Sequence, residues 1–366
     1  MQRKKYFFTF VLLFVFIALT ACSSGNKDGA QNTSKNKDSG KITVIDYMSR
    51  EVAIPKKVNR IACLYAYTGH VVTMLGEGNK IVAVVNGLHR DNLLLDINPT
   101  IKDAIVPSRG DKINIEELAN TNPDLIFIQE STAKDEGEVR KLEELKVPYL
   151  VVNFNSIKEQ QQSIAMIGKA LGKAEKAEKF NNYYNEIISQ VSKKVKDIPD
   201  KDRVRVYHSV TEATRTDPTN SLPAEWIKVV GAINVSVGEK LKLEQKKYLA
   251  SLEQILLWDP DVILVNQDGV GDYILESSQW QTLKAVKSKK VYQLPNGVSR
   301  WGHPGGIETP LAIIWTAKTL YPDKFTDTNM EEITAKFYQD FFNYELTPDL
   351  IEKILSGKDM RTSKGN

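Results

Sequence analysis

Beyond residue 40 the apolar positions fall into two kinds of pattern. The stretch Ile42-Thr-Val-Ile-Asp-Tyr-Met-Ser-Arg-Glu-Val-Ala-Ile54 holds two β-rich runs around Met48-Ser49-Arg50 and is closed by Pro55, which predicts a hairpin. Short apolar runs follow at Arg60–Leu64, Ile81–Val85, Leu125–Ile128 and Tyr149–Val152, separated by helix-favouring stretches. Strands alternating with helices in this way build a parallel sheet from βαβ units. From Ser156 to about Val195 the chain is charged and free of proline, with only Gly168 and Gly172 interrupting it. Ile164, Ile167 and Leu171, then Phe180, Tyr183/Tyr184, Ile187/Ile188 and Val191, recur at helical spacing. They predict a helix to about Gly172 and a long one from Lys173 to near Ile198-Pro199; the stripe is too irregular in heptads for a coiled-coil arm. A second strand-and-helix series runs from Arg203 to about Pro295, and Ile307 onward reads as helical.

The two series repeat one another. At an offset of 137 residues, Glu116-Glu-Leu-Ala-Asn-Thr-Asn-Pro-Asp-Leu-Ile-Phe-Ile128 lies on Glu253-Gln-Ile-Leu-Leu-Trp-Asp-Pro-Asp-Val-Ile-Leu-Val265. The Glu, the Pro-Asp and the apolar strand fall in register: a helix stopped by proline, then a buried strand. Met74-Leu75-Gly76 and Val147-Pro148-Tyr149 bracket the first copy as Val229-Val230-Gly231 and Lys290-Val291-Tyr292 bracket the second. The expected fold class is therefore α/β: two similar Rossmann-like lobes joined by a single long α-helix. The boundaries are 41–155 for the N-terminal lobe, 156–198 for the connecting segment, 199–345 for the C-terminal lobe and 346–366 for a C-terminal helix and tail.

Charge and composition narrow the picture. The 42% hydrophobic content excludes a disordered polymer, and 49 Lys+Arg against 46 Asp+Glu give a formal charge of +3. Arg3, Lys4 and Lys5 account for all of that excess and precede the apolar run Tyr6–Leu19, a basic-then-apolar order that reads as a signal peptide over residues 1–21. The remaining chain is charge-balanced, which argues against nucleic acid as a partner. Leu19-Thr20-Ala21-Cys22 resembles the bacterial lipobox, in which the cysteine is acylated and becomes the first residue of the mature chain. Cys22 is then a lipid anchor, residues 22–40 are the lipidated cysteine and a Ser/Asn/Gly/Lys-rich tether, and Cys63 is left without a disulfide partner.

The mature chain resembles the helical-backbone (class III) substrate-binding proteins of ABC importers, which take up ferric siderophores, haem and cobalamin. The resemblance covers Ile42 to roughly Phe342. It rests on the opening Val-Ile-Asp-Tyr-Met-Ser-Arg-Glu-Val-Ala-Ile-Pro-Lys-Lys-Val-Asn-Arg-Ile, on both Pro-Asp segments and on Trp280-Gln-Thr-Leu-Lys-Ala-Val-Lys-Ser-Lys-Lys-Val-Tyr-Gln-Leu. It implies a monomeric lipoprotein on the outer side of the cell membrane, working with a permease and its ATPase, that binds a small molecule in a ligand cleft between the lobes and catalyses nothing. It also implies that one carboxylate per lobe docks on permease arginines, and Glu116 and Glu253 occupy the matching positions.

Open α/β sheets bind ligands beyond the carboxyl ends of their strands, so the loops there hold the candidates. Tyr65 and the arginines Arg90, Arg109, Arg215 and Arg300 lie on them, and guanidinium suits the carboxylate or catecholate oxygens of an Fe(III)-siderophore complex. The segment Ser299-Arg300-Trp301-Gly302-His303-Pro304-Gly305-Gly306 adds a flat aromatic expected against the ligand and an imidazole for its polar edge. No resident cofactor or metal is expected. Cobalamin is the first rival ligand. Haem is disfavoured, because the resemblance implies iron ligands where this chain has Asp111-Lys112 and Asp268-Gly269. The four histidines His70, His89, His208 and His303 leave direct metal binding or a metal-dependent envelope enzyme as further rivals, although none is paired at i+2 or i+4. Arg109-Gly110-Asp111 and Gly76-Glu77-Gly78 are chance matches to an adhesion tripeptide and to phosphate loops.

Overall fold

The computed structural model describes residues 40–109 and 112–362; the signal peptide, Cys22 and the tether lie outside them. The predicted hairpin forms from strands β1 (Lys41–Ile45) and β2 (Glu51–Pro55), antiparallel with Ile42 opposite Ile54.

The first lobe is built on β3 (Ile61–Cys63), β4 (Ile81–Val84), a small hairpin of β5 (Ser108–Arg109) and β6 (Lys112–Ile113), then β7 (Leu125–Gln129) and β8 (Tyr149–Val152). Its parallel sheet has the order β4-β3-β7-β8. The second lobe repeats this with β9 (Arg205–Ser209), β10 (Ile233–Asn234), a hairpin of β11 (Lys242–Glu244) and β12 (Lys247–Leu249), β13 (Val262–Val265) and β14 (Val291–Gln293), in the order β10-β9-β13-β14. The duplication read from the Pro-Asp segments is thus a duplication of topology. Leu125–Ile128 and Val262–Val265 are buried along their whole length, as runs covered by helices on both faces must be.

Between the lobes run the helices Ile157–Ala170 and Ala174–Val195. The second buries Ala177, Phe180, Tyr184, Ile187, Val191 and Val195 at three- and four-residue spacing, and each large member contributes about 1.5–3 kcal/mol by leaving water. One buried amide ties this spine to the second lobe: Gln160 accepts from the Tyr184 hydroxyl at 3.0 Å and donates to the Gly306 carbonyl at 2.8 Å. Helices Thr309–Leu320, Met330–Phe342 and Pro348–Ser356 complete the second lobe. Within the C-terminal segment, expected as a helix and tail, the part after the helix packs rather than trailing free. Residues 358–362 cross back to the first lobe, where the Asn92 amide donates to the Met360 carbonyl at 3.1 Å and the Thr362 amide to the Arg90 carbonyl at 3.0 Å.

Candidate functional site

In each sheet the strand order reverses between the first and third strands, β3/β7 and β9/β13, and a crevice opens beyond their carboxyl ends. The two crevices face a cavity of ≈ 580 Å³ between the lobes. Asn86, Gly87 and Arg90 line it from the first lobe; Thr211, Arg215, Gln267, Arg300 and His303 line it from the second, and Arg361 comes from the C-terminal segment. At its edge Lys247 pairs with Glu212. Burial works against the Glu212 charge, but Lys247 and Thr211 hold its carboxyl down at about 2.

The cavity is dominated by guanidinium groups. Arg300 donates to Gln267 Oε1 at 3.3 Å and lies 2.7 Å from His303 Nε2, both uncharged partners. Burial, then the charges of Arg361, Arg215 and Arg90 against the pull of Asp91, push its guanidinium down to about 9. Burial also lowers Arg215, which donates to the Thr211 hydroxyl at 2.9 Å, and Arg90, where Arg361 adds to the effect. His303 is forced well below the usual imidazole range by burial and by Arg300. Its Nδ1 is 3.1 Å from the Gly305 amide and its Nε2 faces Arg300. A neutral imidazole accepts at only one nitrogen, so one of those two donors has no acceptor here. Crowded cations and a spare donor converging on one cavity suit negatively charged oxygens.

A buried carboxylate shapes the loop that carries this chemistry. Glu308, fully buried, accepts from the Ser299 amide at 2.6 Å, the Ser299 hydroxyl at 2.9 Å, the Trp301 indole at 3.0 Å and the Tyr338 hydroxyl. Burial pushes the Glu308 carboxyl up to about 7 against those four donors. Gly306 is required where it stands, because a Cβ there would lie 2.5 Å from the Arg300 carbonyl oxygen. The expectation for Trp301 is corrected by this arrangement: its indole has zero exposure and sits in the core, drawn inward by Glu308, so it presents no face to a ligand.

Two further histidines are held by polar neighbours, whereas the buried Nε2 of His89 has no hydrogen-bond partner among the described residues. His208 is fully buried, with Nδ1 2.7 Å from Asp217 Oδ2 and Nε2 2.8 Å from Asn266 Oδ1, and Asn266 in turn donates to the Trp301 carbonyl at 2.7 Å. His70 is buried 3.2 Å from Asp91. Among the described residues no group of three or more His, Cys, Asp or Glu side chains is placed to hold a metal ion.

Tyr65 belongs to a second hollow of ≈ 250 Å³ in the first lobe, beside Ser108, Gln129, Ser131 and Thr132. Burial raises its hydroxyl well above the ordinary tyrosine range. Across the lobes, the Tyr65 hydroxyl would be 3.6 Å from a Cβ on Gly305, two residues beyond His303. Arg109 is described only in its backbone, which pairs with Lys112 in the small hairpin. Cys63 is fully buried in β3 and its thiol is pushed up to about 12 by burial.

Glu116 and Glu253 are exposed at equivalent second positions of the helices Ile115–Asn120 and Leu252–Trp258, capped by Asn114 and Ser251. Each helix runs back to begin a parallel strand, so its N-terminus lies toward the carboxyl ends of the sheet, on the cleft side. The Glu253 carboxyl is held below the usual range by its own backbone amide and by Ser251. Reasoning from loop position reached Arg90, Arg215, Arg300 and His303. It missed Lys247, on the β11–β12 hairpin, and Arg361, which no local pattern marks.

The sequence pattern of the periplasmic binding protein family matches residues 61–298. The molybdate-binding protein MolA of Haemophilus influenzae is 24% identical over 331 residues, 84% of this chain and 92% of its own length. An ABC transporter substrate-binding lipoprotein of Bacillus subtilis, YvrC, is 24% identical over 332 residues, 89% of this chain and 100% of its own. In structure, MolA with molybdate bound superposes with a TM-score of 0.74 at 22% identity, covering 84% of this chain and 100% of MolA. Helicobacter pylori CeuE with Ni(II) bound gives 0.69 at 20%, covering 86% and 99%. These structures share the fold: two parallel sheets flanked by helices, facing each other across a cleft.

Proposed function

The chain belongs to the periplasmic binding protein family, and from that premise we propose that it captures an anionic iron complex, a ferric siderophore, for an ABC importer. The general role, a substrate-binding protein that hands a small ligand to a permease and its ATPase, is that of the family. The cargo is the proposal, and one observation carries it: Arg300 lies half-buried beside uncharged partners while Arg90, Arg215 and Arg361 crowd the same cavity. Cations held this close repel one another across a medium of reduced dielectric, and a ligand bearing several negative oxygens relieves that repulsion. Cobalamin, without such charge, would leave it in place.

The size of the cleft supports a complex larger than a bare ion. The cationic cavity of ≈ 580 Å³ falls within the roughly 300–1,000 Å³ usual for organic ligands, and a further hollow of ≈ 250 Å³ at Tyr65 lies in the first lobe. In this reading the guanidinium groups take the negative oxygens, and Tyr65, Gln129 and Thr132 meet the neutral part of the siderophore. Similarity to MolA favours a second reading, a tetrahedral oxyanion seated on Arg300 and His303 alone. Cys22 anchors the mature monomer to the outer side of the cell membrane, a reading in keeping with the description of YvrC as a lipoprotein.

Calorimetric titration of the mature protein with ferric tricatecholate, ferric citrate, molybdate, cobalamin and haem tests this. Binding of a ferric complex, weakened by added salt, is the expected result. Binding of molybdate alone establishes the second reading, and binding of cobalamin without any anion overturns both.

A further inference from the structure

The segment 357–362 does more than end the chain. Gly357 turns it out of the helix Pro348–Ser356 at a φ of 70°, in a place where a Cβ would collide with the Leu294 carbonyl. It then lies along residues 87–92 of the first lobe. Asn92 Nδ2 donates to the Asp359 carbonyl at 3.0 Å, Arg90 Nε to the Thr362 carbonyl at 2.8 Å, and Met360, 3% exposed, is buried beneath. These contacts, with the backbone bonds at Asn92 and Thr362, already fasten the strap. Arg361 adds two further contacts to that fastening, and its guanidinium also lines the cavity that holds Arg90, Arg215 and Arg300. It pairs there with Asp91, 1% exposed, and donates to the Gly87 carbonyl at 3.0 Å. A fourth guanidinium adds repulsion to an already crowded site, and one buried carboxylate offsets only part of it.

We propose that the strap is a wall of the ligand site: Arg361 binds the anionic cargo, and Asp91 holds the guanidinium in position and sets how much of its charge the cargo meets. Residues of both lobes and of the C-terminal strap thereby close on one ligand, and the strap links the lobes at the cleft mouth as the connecting helix links them at the back. The inference rests on the anionic reading of the cleft.

The mature full-length protein, Arg361→Gln and Arg361→Lys are titrated with ferric tricatecholate and with molybdate at several salt concentrations. For whichever anion the unaltered protein binds, Arg361→Gln is expected to weaken binding about tenfold and to flatten its salt dependence, because one interacting charge is gone. Arg361→Lys keeps the charge, and its salt dependence should follow that of the unaltered protein. Equal binding by Arg361→Gln and the unaltered protein overturns the inference while leaving the anionic reading intact. So does an equal loss in both variants with salt dependence unchanged, the mark of a purely structural strap. Failure of the unaltered protein to bind either anion overturns the anionic reading, and this inference with it.

Discussion

The two lobes share one strand order and differ in what joins the strands. In the first, β3 passes through Leu64 and Tyr65 straight into the helix Ala66–Met74, and β8 reaches Ile157 through residues 153–156. In the second, the same connections are residues 210–221 and 294–308, and the hairpin ahead of the Glu-bearing helix is longer. Arg215 and Arg300 sit on the two long connections, and Lys247 sits on the longer hairpin. Among the described side chains, Arg90 is the one cation that the body of the first lobe brings to the cavity. The duplicated frame is thus shared, whereas most of the cavity's cationic side chains sit where the second copy's connections are longer than the first's.

That contrast can be broken by substitution. Trp301→Ala should cost about 3–5 kcal/mol of stability in denaturant unfolding, because it empties the core under the long loop and strips a donor from Glu308. Tyr65→Ala, at the half-buried wall of the first lobe, should cost clearly less; equal losses would mean that the two walls are built alike. Arg300→Ala should weaken anion binding on the order of 100-fold, the scale for removing a desolvated charge contact. Gln129→Ala, in the neutral hollow, should change affinity by less than about threefold, and a reversal of that order would put the specificity in the first lobe.

The two exposed carboxylates expected to meet the permease, Glu116 and Glu253, probe the symmetric part. Glu116→Ala and Glu253→Ala should each lower uptake about tenfold, equivalent to ~1.4 kcal/mol per contact, with ligand affinity unchanged. Unequal effects would show that the permease reads the lobes differently. The smallest expected effect is a pH dependence. The raised Glu308 value means that its neutral form favours the fold, so the stability it lends is complete below about 4.5 and fades as pH climbs through about 7. Relative to the unaltered protein, Glu308→Gln should therefore gain stability over that window; a difference that does not vary with pH would rule out Glu308 as its source.

The frame was legible because its signals are local and repeated. Leu125–Ile128 and Tyr149–Val152 are uninterrupted apolar runs beside Pro-Asp or a Pro, and the stripe from Phe180 to Val191 follows the helical period, so strands and spine fall close to their expected places. Arg90, Arg215, Arg300 and His303 were legible from position, since they follow strand ends in an open sheet. Trp301 was not. An aromatic in a glycine-rich loop has no period to reveal its direction, and its burial depends on Glu308 and on Tyr338 from a distant helix. Lys247 belongs to a hairpin whose tip bears no mark of the cleft, and Arg361 arrives only because the chain crosses between lobes after its last helix.

The strap has a practical corollary for anyone handling the protein. A purification tag fused behind Thr362 would emerge beside Arg90, next to the cleft mouth, and a run of histidines there would bring metal-chelating groups to the entrance through which the cargo passes. An untagged protein would keep measured affinities free of that artefact.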